Sequence, residues 1–240
     1  MVGGMQSLCY DGDGEELQAM RAASDWVQAA LDRPMVAEPG KQFCYDSPSF
    51  HLLSAILQQV TGLTALDFAR QFLFEPLGIQ QAIWDIDPQG RSRGWGDLHL
   101  LPEDLAKIGL LWLQRGNWDG QQIVSEVWVL DSVKARSKFI EPDYGYGYGW
   151  WVSIGDYMAA GRGGQKLRVM ASVDTILVVT GSEYDYSAIE AWLLPMLLSS
   201  RSHLPANPQG IASLEAVLSG LAQPADVWSA TDTPQTAAQV

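Results

Sequence analysis

Apolar positions over the first 140 residues recur at intervals of three and four, the spacing of helices that bury one face. "SDWVQAALDRP" predicts a short helix with Ser24 as N-cap, Trp26, Val27, Ala30 and Leu31 on one side, and Pro34 as its stop. From Ser47 onward, Phe50, Leu53, Ile56, Leu57 and Val60 trace one helical stripe that ends at Gly62. Thr64 with Asp67 has the form of a capping box opening "ALDFARQFLF", which Pro76 and Gly78 close. In "PEDLAKIGLLWLQRG" Pro102 stands in the first turn and Gly116 past the end, and Ser125 is placed to cap "EVWVLDSVKAR".

After residue 140 the period shortens. "YGYGWWVSIG", "DYMAAGRGG", "KLRVMAS" and "TILVVTG" are short β-branched or aromatic runs divided by turn residues, the pattern of an antiparallel meander. "YSAIEAWLLPMLL" then reads as a terminal helix laid on a sheet face, with Pro195 inside it. The fold class expected is therefore α+β: a helical subdomain over about 20–140 and a sheet with its helix over about 144–200. Residues 201–240 are rich in proline, alanine and small polar residues and read as a linker or disordered tail, with one weak helical stretch from Ile211 to Leu221.

Charge and cysteine content narrow the partners. Fifteen basic residues stand against 28 acidic ones, a net charge of −13, and no basic cluster marks a phosphate-binding face, so nucleic acid is not an expected partner. The longest apolar runs fall well short of the ~20 residues that a membrane helix requires. Cys9 and Cys44 lie outside any CxxC pattern and have no partnering histidine; a single bridge is open to them, but two packed thiols are the expectation. No metal site and no cofactor is expected. "DGDGEE" begins like a calcium loop, but the twelfth position from Asp11 is Ala22 where a glutamate is needed. His51, His99 and His203 stand alone, and GxSxG, HExxH and GxxxxGK are all absent.

Two features remain. Tyr45-Asp46-Ser47 stands immediately before the Phe50 helix, and Gly161-Arg162-Gly163 stands at a strand end in the meander. Singly, each has an ordinary reading: a tyrosine ahead of a helix is most often a packed ring, and a glycine-rich strand end is most often a tight turn. Jointly and in order, "EPGKQFCYDSPSFHLLSAILQQVTG", "FLFEPLGIQQAIW", "YGYGWW" and "GRGGQKLRVMASVDTILVVTG" resemble the serine β-lactamase and penicillin-binding protein family, in particular its class C, esterase and D-alanyl-D-alanine carboxypeptidase-like members. The likeness spans about residues 1–200. It implies a partial β-lactamase/transpeptidase-like fold and acyl-enzyme hydrolysis of a small-molecule ester, amide or lactam. By the same resemblance Tyr45 would be general base or proton shuttle and Ser47 would orient substrate or relay a proton. Gly161 to Gly163 would lend an oxyanion-hole N–H, and Arg162 would hold a substrate carboxylate.

One departure bears on activity. The family's nucleophile and its lysine lie in an S-x-x-K upstream of the tyrosine motif. Here the residues three places before the five lysines are Glu38, Asp104, Asp131, Ala135 and Gly163. The expectation is a truncated serine hydrolase that is inactive alone; the alternative is a non-catalytic binding module that keeps the scaffold. A Gly-Arg-Gly third motif leans toward esterase or amidase-like members. Compartment, oligomeric state and substrate identity have no signal in the sequence.

Overall fold

The computed structural model describes residues 1–7, 9, 14–137, 144–181, 186–199 and 206–221. The chain divides into two compact units, Met1–Leu193 and Leu194–Val240. The first begins with helices α1 (Glu15–Ala22), α2 (Trp26–Leu31), α3 (Ser47–Thr61) and α4 (Ala65–Ala69), the last running on as a π-helical turn over Arg70–Phe74. A small hairpin, β1 (Ala82–Trp84) with β2 (Leu98–Leu100), leads into α5 (Pro102–Leu113). A second hairpin, β3 (Asn117–Trp118) with β4 (Gln121–Gln122), leads into α6 (Glu126–Ser132). The main sheet is a five-stranded antiparallel meander in sequence order: β5 (Gly145–Tyr146), β6 (Trp151–Ser153), β7 (Asp156–Ala160), β8 (Lys166–Met170) and β9 (Thr175–Val179). Helix α7 (Tyr186–Ser199) follows, and the boundary between the units falls inside it; the second unit carries α8 (Pro208–Leu221), whose described residues are exposed. Among the described residues no single helix is long and apolar enough to cross a membrane.

Side-chain caps open α2, α4 and α6. Thr64 accepts the Asp67 N–H at 3.1 Å and Ser125 the Trp128 N–H at 3.3 Å, as the capping patterns predict. At α2 the cap is Asp25 rather than Ser24: its carboxylate takes the N–H groups of Val27 and Gln28 at 3.0 and 3.1 Å. A carboxylate one residue nearer the first turn reaches two donors, which leaves the serine redundant. Helix α1 had no expectation attached to it; it buries Leu17 and Met20 against Trp26 and Ala30.

Two expectations are corrected. Cys9 and Cys44 are not packed thiols but a disulfide, with Cα atoms 4.8 Å apart, tying the N-terminal segment to the residue before Tyr45. Sequence spacing carries no information on whether a 35-residue separation closes in space. Second, the apolar stripe of α3 does not turn inward as a whole: Leu53, Ile56 and Val60 are 58%, 57% and 73% exposed, while Ser47, His51 and Ser54 are buried. The reason lies in the polar side chains. Ser54 donates to the Ser92 carbonyl at 2.6 Å and His51 pairs with Asp87 at 3.2 Å, and buried polar groups must face their partners.

Helix α5 joins the helices to the sheet. Its Ile108 and Trp112 touch both the Phe74–Leu111 cluster and the Trp150–Val169 cluster. The approach is close at Gly109, where a Cβ would stand 2.7 Å from Leu167 Cδ1 and 2.8 Å from Ile176 Cγ2. Gly109→Val should therefore overpack this contact and destabilise the fold by about 1–3 kcal/mol, which urea denaturation will measure; an unchanged midpoint would mean that α5 does not rest on β8 and β9 at this point.

Candidate active site

The mouth of α3 and the end of β7 meet at a cleft of about 330 Å³. Tyr45 and Ser47 line it from the helix side, Gly161 from the sheet side, and Gly94, Trp95 and Gly96 close another wall. Ser47 occupies the first position of α3 and is buried; Tyr45 precedes it and is half-buried. The Tyr45 ring stacks on Trp151 with centroids 5.7 Å apart and an interplanar angle of 6°, while Tyr146 meets it edge-on at 6.0 Å. Such contacts set a ring's plane as well as its depth. Burial raises the Tyr45 phenol above its ordinary value near 10, and burial followed by the neighbouring Tyr45 raises Tyr146 as well. At neutral pH the Tyr45 oxygen therefore carries its proton, and serving as a base requires a nearby positive charge to bring its pKa down.

The glycine-rich segment is a turn between β7 and β8, and it divides. Gly161 reaches the cleft, whereas Arg162 and Gly163 are exposed residues of a short 3-10 turn and are not among its lining residues. Gly163 takes the left-handed conformation, φ 71°, that the turn requires. The Gly161 N–H already donates to the Gln165 carbonyl at 2.8 Å. The hairpin thus uses this one donor of the Gly161–Gly163 segment. Arg162, expected to hold a substrate carboxylate, is an exposed residue of that turn.

Sequence reasoning passed over the residue beneath the site. His51 is fully buried, with its Nε2 3.2 Å from Asp87 Oδ2 and its Nδ1 accepting the Gly94 N–H at 3.4 Å. These partners place the single imidazole proton on Nε2. Asp87 is itself held by the Arg91 guanidinium at 3.0 Å and by the backbone N–H groups of Gln89 and Arg91. Gly94 passes so close to α3 that a Cβ would stand 2.2 Å from the Phe50 carbonyl oxygen. His51 therefore supports the wall rather than facing the cleft. The signal was present in "DPQGRSRGWG", a polar, glycine-rich stretch that needs anchors, but nothing in it pointed to residue 51.

The family model described as Beta-lactamase matches residues 5–202, so the chain belongs to that family. It is 26% identical over 154 residues to the 6-aminohexanoate-dimer hydrolase of Paenarthrobacter ureafaciens, an alignment that takes in 59% of this chain and 39% of that protein. Among solved structures it is similar to a Bacillus anthracis protein whose assignment as a 6-aminohexanoate-dimer hydrolase is provisional, with a TM-score of 0.67, 19% identity, and coverage of 82% of this chain and 57% of that one. It is also similar to the octameric penicillin-binding protein homologue from Pyrococcus abyssi, with a TM-score of 0.61, 22% identity, and coverage of 82% and 53%. The chain thus spans about half the length, or less, of these relatives. Its α+β fold is that of β-lactamases and penicillin-binding proteins.

Two outcomes follow from the site. Ultraviolet difference titration of the protein against its Tyr45→Phe variant should place the Tyr45 midpoint above ~10; a midpoint near 7 would reveal an activating cation. Burial lowers the His51 pKa below 6.5, opposed by its hydrogen bond to Asp87. The unfolded chain then binds the extra proton first, so this group's contribution is present above about pH 6.5 and is lost as pH falls toward the folded-state value. Between pH 7 and pH 5 the native protein should lose more thermal stability than His51→Asn; equal losses would show that His51 titrates normally.

Proposed function

We propose that this chain is part of a serine hydrolase that forms and hydrolyses an acyl-enzyme on an ester, amide or lactam, and that it does not complete the reaction by itself. The observation that carries the reading is the shared cleft: Tyr45 and Ser47 at the start of α3 and Gly161 at the end of β7 line one cavity. In the complete reaction a serine hydroxyl loses its proton to the Tyr45 phenolate and its oxygen attacks the carbonyl. Tyr45 returns that proton to the departing alcohol or amine, and water then releases the acyl group. Ser47, buried at the helix start, orients the substrate or passes the proton along.

Two observations support the need for further polypeptide. The sequence holds no S-x-x-K, so in this reading the nucleophilic serine and the lysine of that motif come from further polypeptide. The outer face of α3 also exposes Leu53, Ile56 and Val60 in succession, an apolar stripe of the kind that another element covers. The relatives' greater length is consistent with that reading. A second reading, a binding module without chemistry, is favoured by the packing of Tyr45 against Trp151 and Tyr146, which makes an aromatic wall of the same residues.

The purified chain should take up no label from a fluorophosphonate or a penicillin. Intact-mass measurement decides this, and stoichiometric labelling on a serine would overturn the claim that the nucleophile lies elsewhere. Restored labelling on addition of a polypeptide bearing the Ser and Lys would distinguish the hydrolase reading from the binding module.

A further inference from the structure

Helix α3 starts at a residue suited to capping that does not cap. Asp46 holds the N-cap position, yet its side chain accepts no N–H from the first turn, whereas Asp25, Thr64 and Ser125 each cap their own helices. Both Asp46 carboxylate oxygens face Arg33 instead: Nη1 donates to Oδ1 at 2.8 Å and Nη2 to Oδ2 at 3.1 Å. The same guanidinium donates to Ser49 Oγ at 3.2 Å, to the Gln6 carbonyl at 3.1 Å and, through Nε, to the Ala30 carbonyl at 3.1 Å. The Ser49 hydroxyl in turn donates to Asp46. The Arg33 and Asp46 side chains are only 11% and 6% exposed.

A pair this deeply buried adds little net stability, because desolvating two charges offsets most of their attraction, but its two parallel bonds fix geometry closely. Asp46 is the residue between Tyr45 and Ser47. We propose that Arg33 is a positioning residue for the site: by holding Asp46 away from the helix cap it sets the backbone on both sides and so lays the Tyr45 ring against Trp151. The neighbour on the other side, Cys44, is bonded to Cys9. Tyr45 is thus tethered through both adjacent residues, ionically at 46 and covalently at 44. The Cys44 tether ends in the N-terminal segment, and Arg33 also bonds to that segment through the Gln6 carbonyl. The inference rests on the hydrolase reading only for the use made of Tyr45; the placement of the ring is a property of the chain alone.

The test compares Asp46→Asn, Arg33→Gln and Arg33→Lys, each paired with its Tyr45→Phe counterpart, by ultraviolet difference titration and circular dichroism. Asparagine caps helices as well as aspartate does, so in Asp46→Asn the freed side chain can turn back onto α3 and the helical signal should hold. The Tyr45 midpoint should nevertheless fall toward ~10 as the ring leaves its packed position. Arg33→Gln should show the same fall, and Arg33→Lys, which keeps the charge but not the two-pronged geometry, should lie between. An unchanged Tyr45 midpoint in folded Asp46→Asn, with only the melting temperature lowered, would overturn the proposal and leave the pair a purely structural contact. Should Arg33→Gln not fold, Asp46→Asn decides alone. Acyl labelling bears on the hydrolase reading and the Tyr45 midpoint on the positioning, so either can fail without the other.

Discussion

The orientation of α3 is set by where its polar side chains find partners. His51 must reach Asp87, Ser54 must reach the Ser92 carbonyl, and Asp46 must reach Arg33. Each is buried, and a buried polar group without a partner costs more than an exposed methyl group does. The helix therefore turns its polar side inward, against the usual rule for an amphipathic element, and leaves Leu53, Ile56 and Val60 outward. Ser47, at the start of this helix, and Tyr45 ahead of it line the cleft.

The sheet completes the arrangement through close backbone approaches. Gly109 lets α5 lie on Leu167 and Ile176, and Gly94 lets the wall of the cleft run against the Phe50 carbonyl. Trp151, on β6, then stands parallel to Tyr45. The ring is thus held firmly in a site that favours its neutral form.

Much of this was legible in the sequence. Capping residues and proline positions marked α4, α5 and α6, and the change of period near residue 144 marked the meander, because both signals are local. Tyr45 and Ser47 were singled out from their place before a helix together with the family resemblance, and both line one cleft. What escaped depends on distance in space. The Cys9–Cys44 bridge, the His51–Asp87 pair and the diversion of Asp46 to Arg33 join residues whose approach no local pattern encodes. The outward face of α3 escaped for a related reason, since apolar spacing gives the period of a helix but not which side its polar anchors will pull inward. The Gly161 N–H bonds within the tight β7–β8 turn, to the Gln165 carbonyl, a local use of the donor that the sequence pattern did not show.

The start of α3 and the sheet close on one cleft, with Tyr45 lying flat on Trp151. Nuclear Overhauser contacts between specifically labelled Tyr45 and Trp151 rings test it most directly. Cross-peaks between the two rings and upfield ring-current shifts of the Tyr45 protons are expected. Tyr45 resonances at solvent-exposed values with no contact to Trp151 would contradict it.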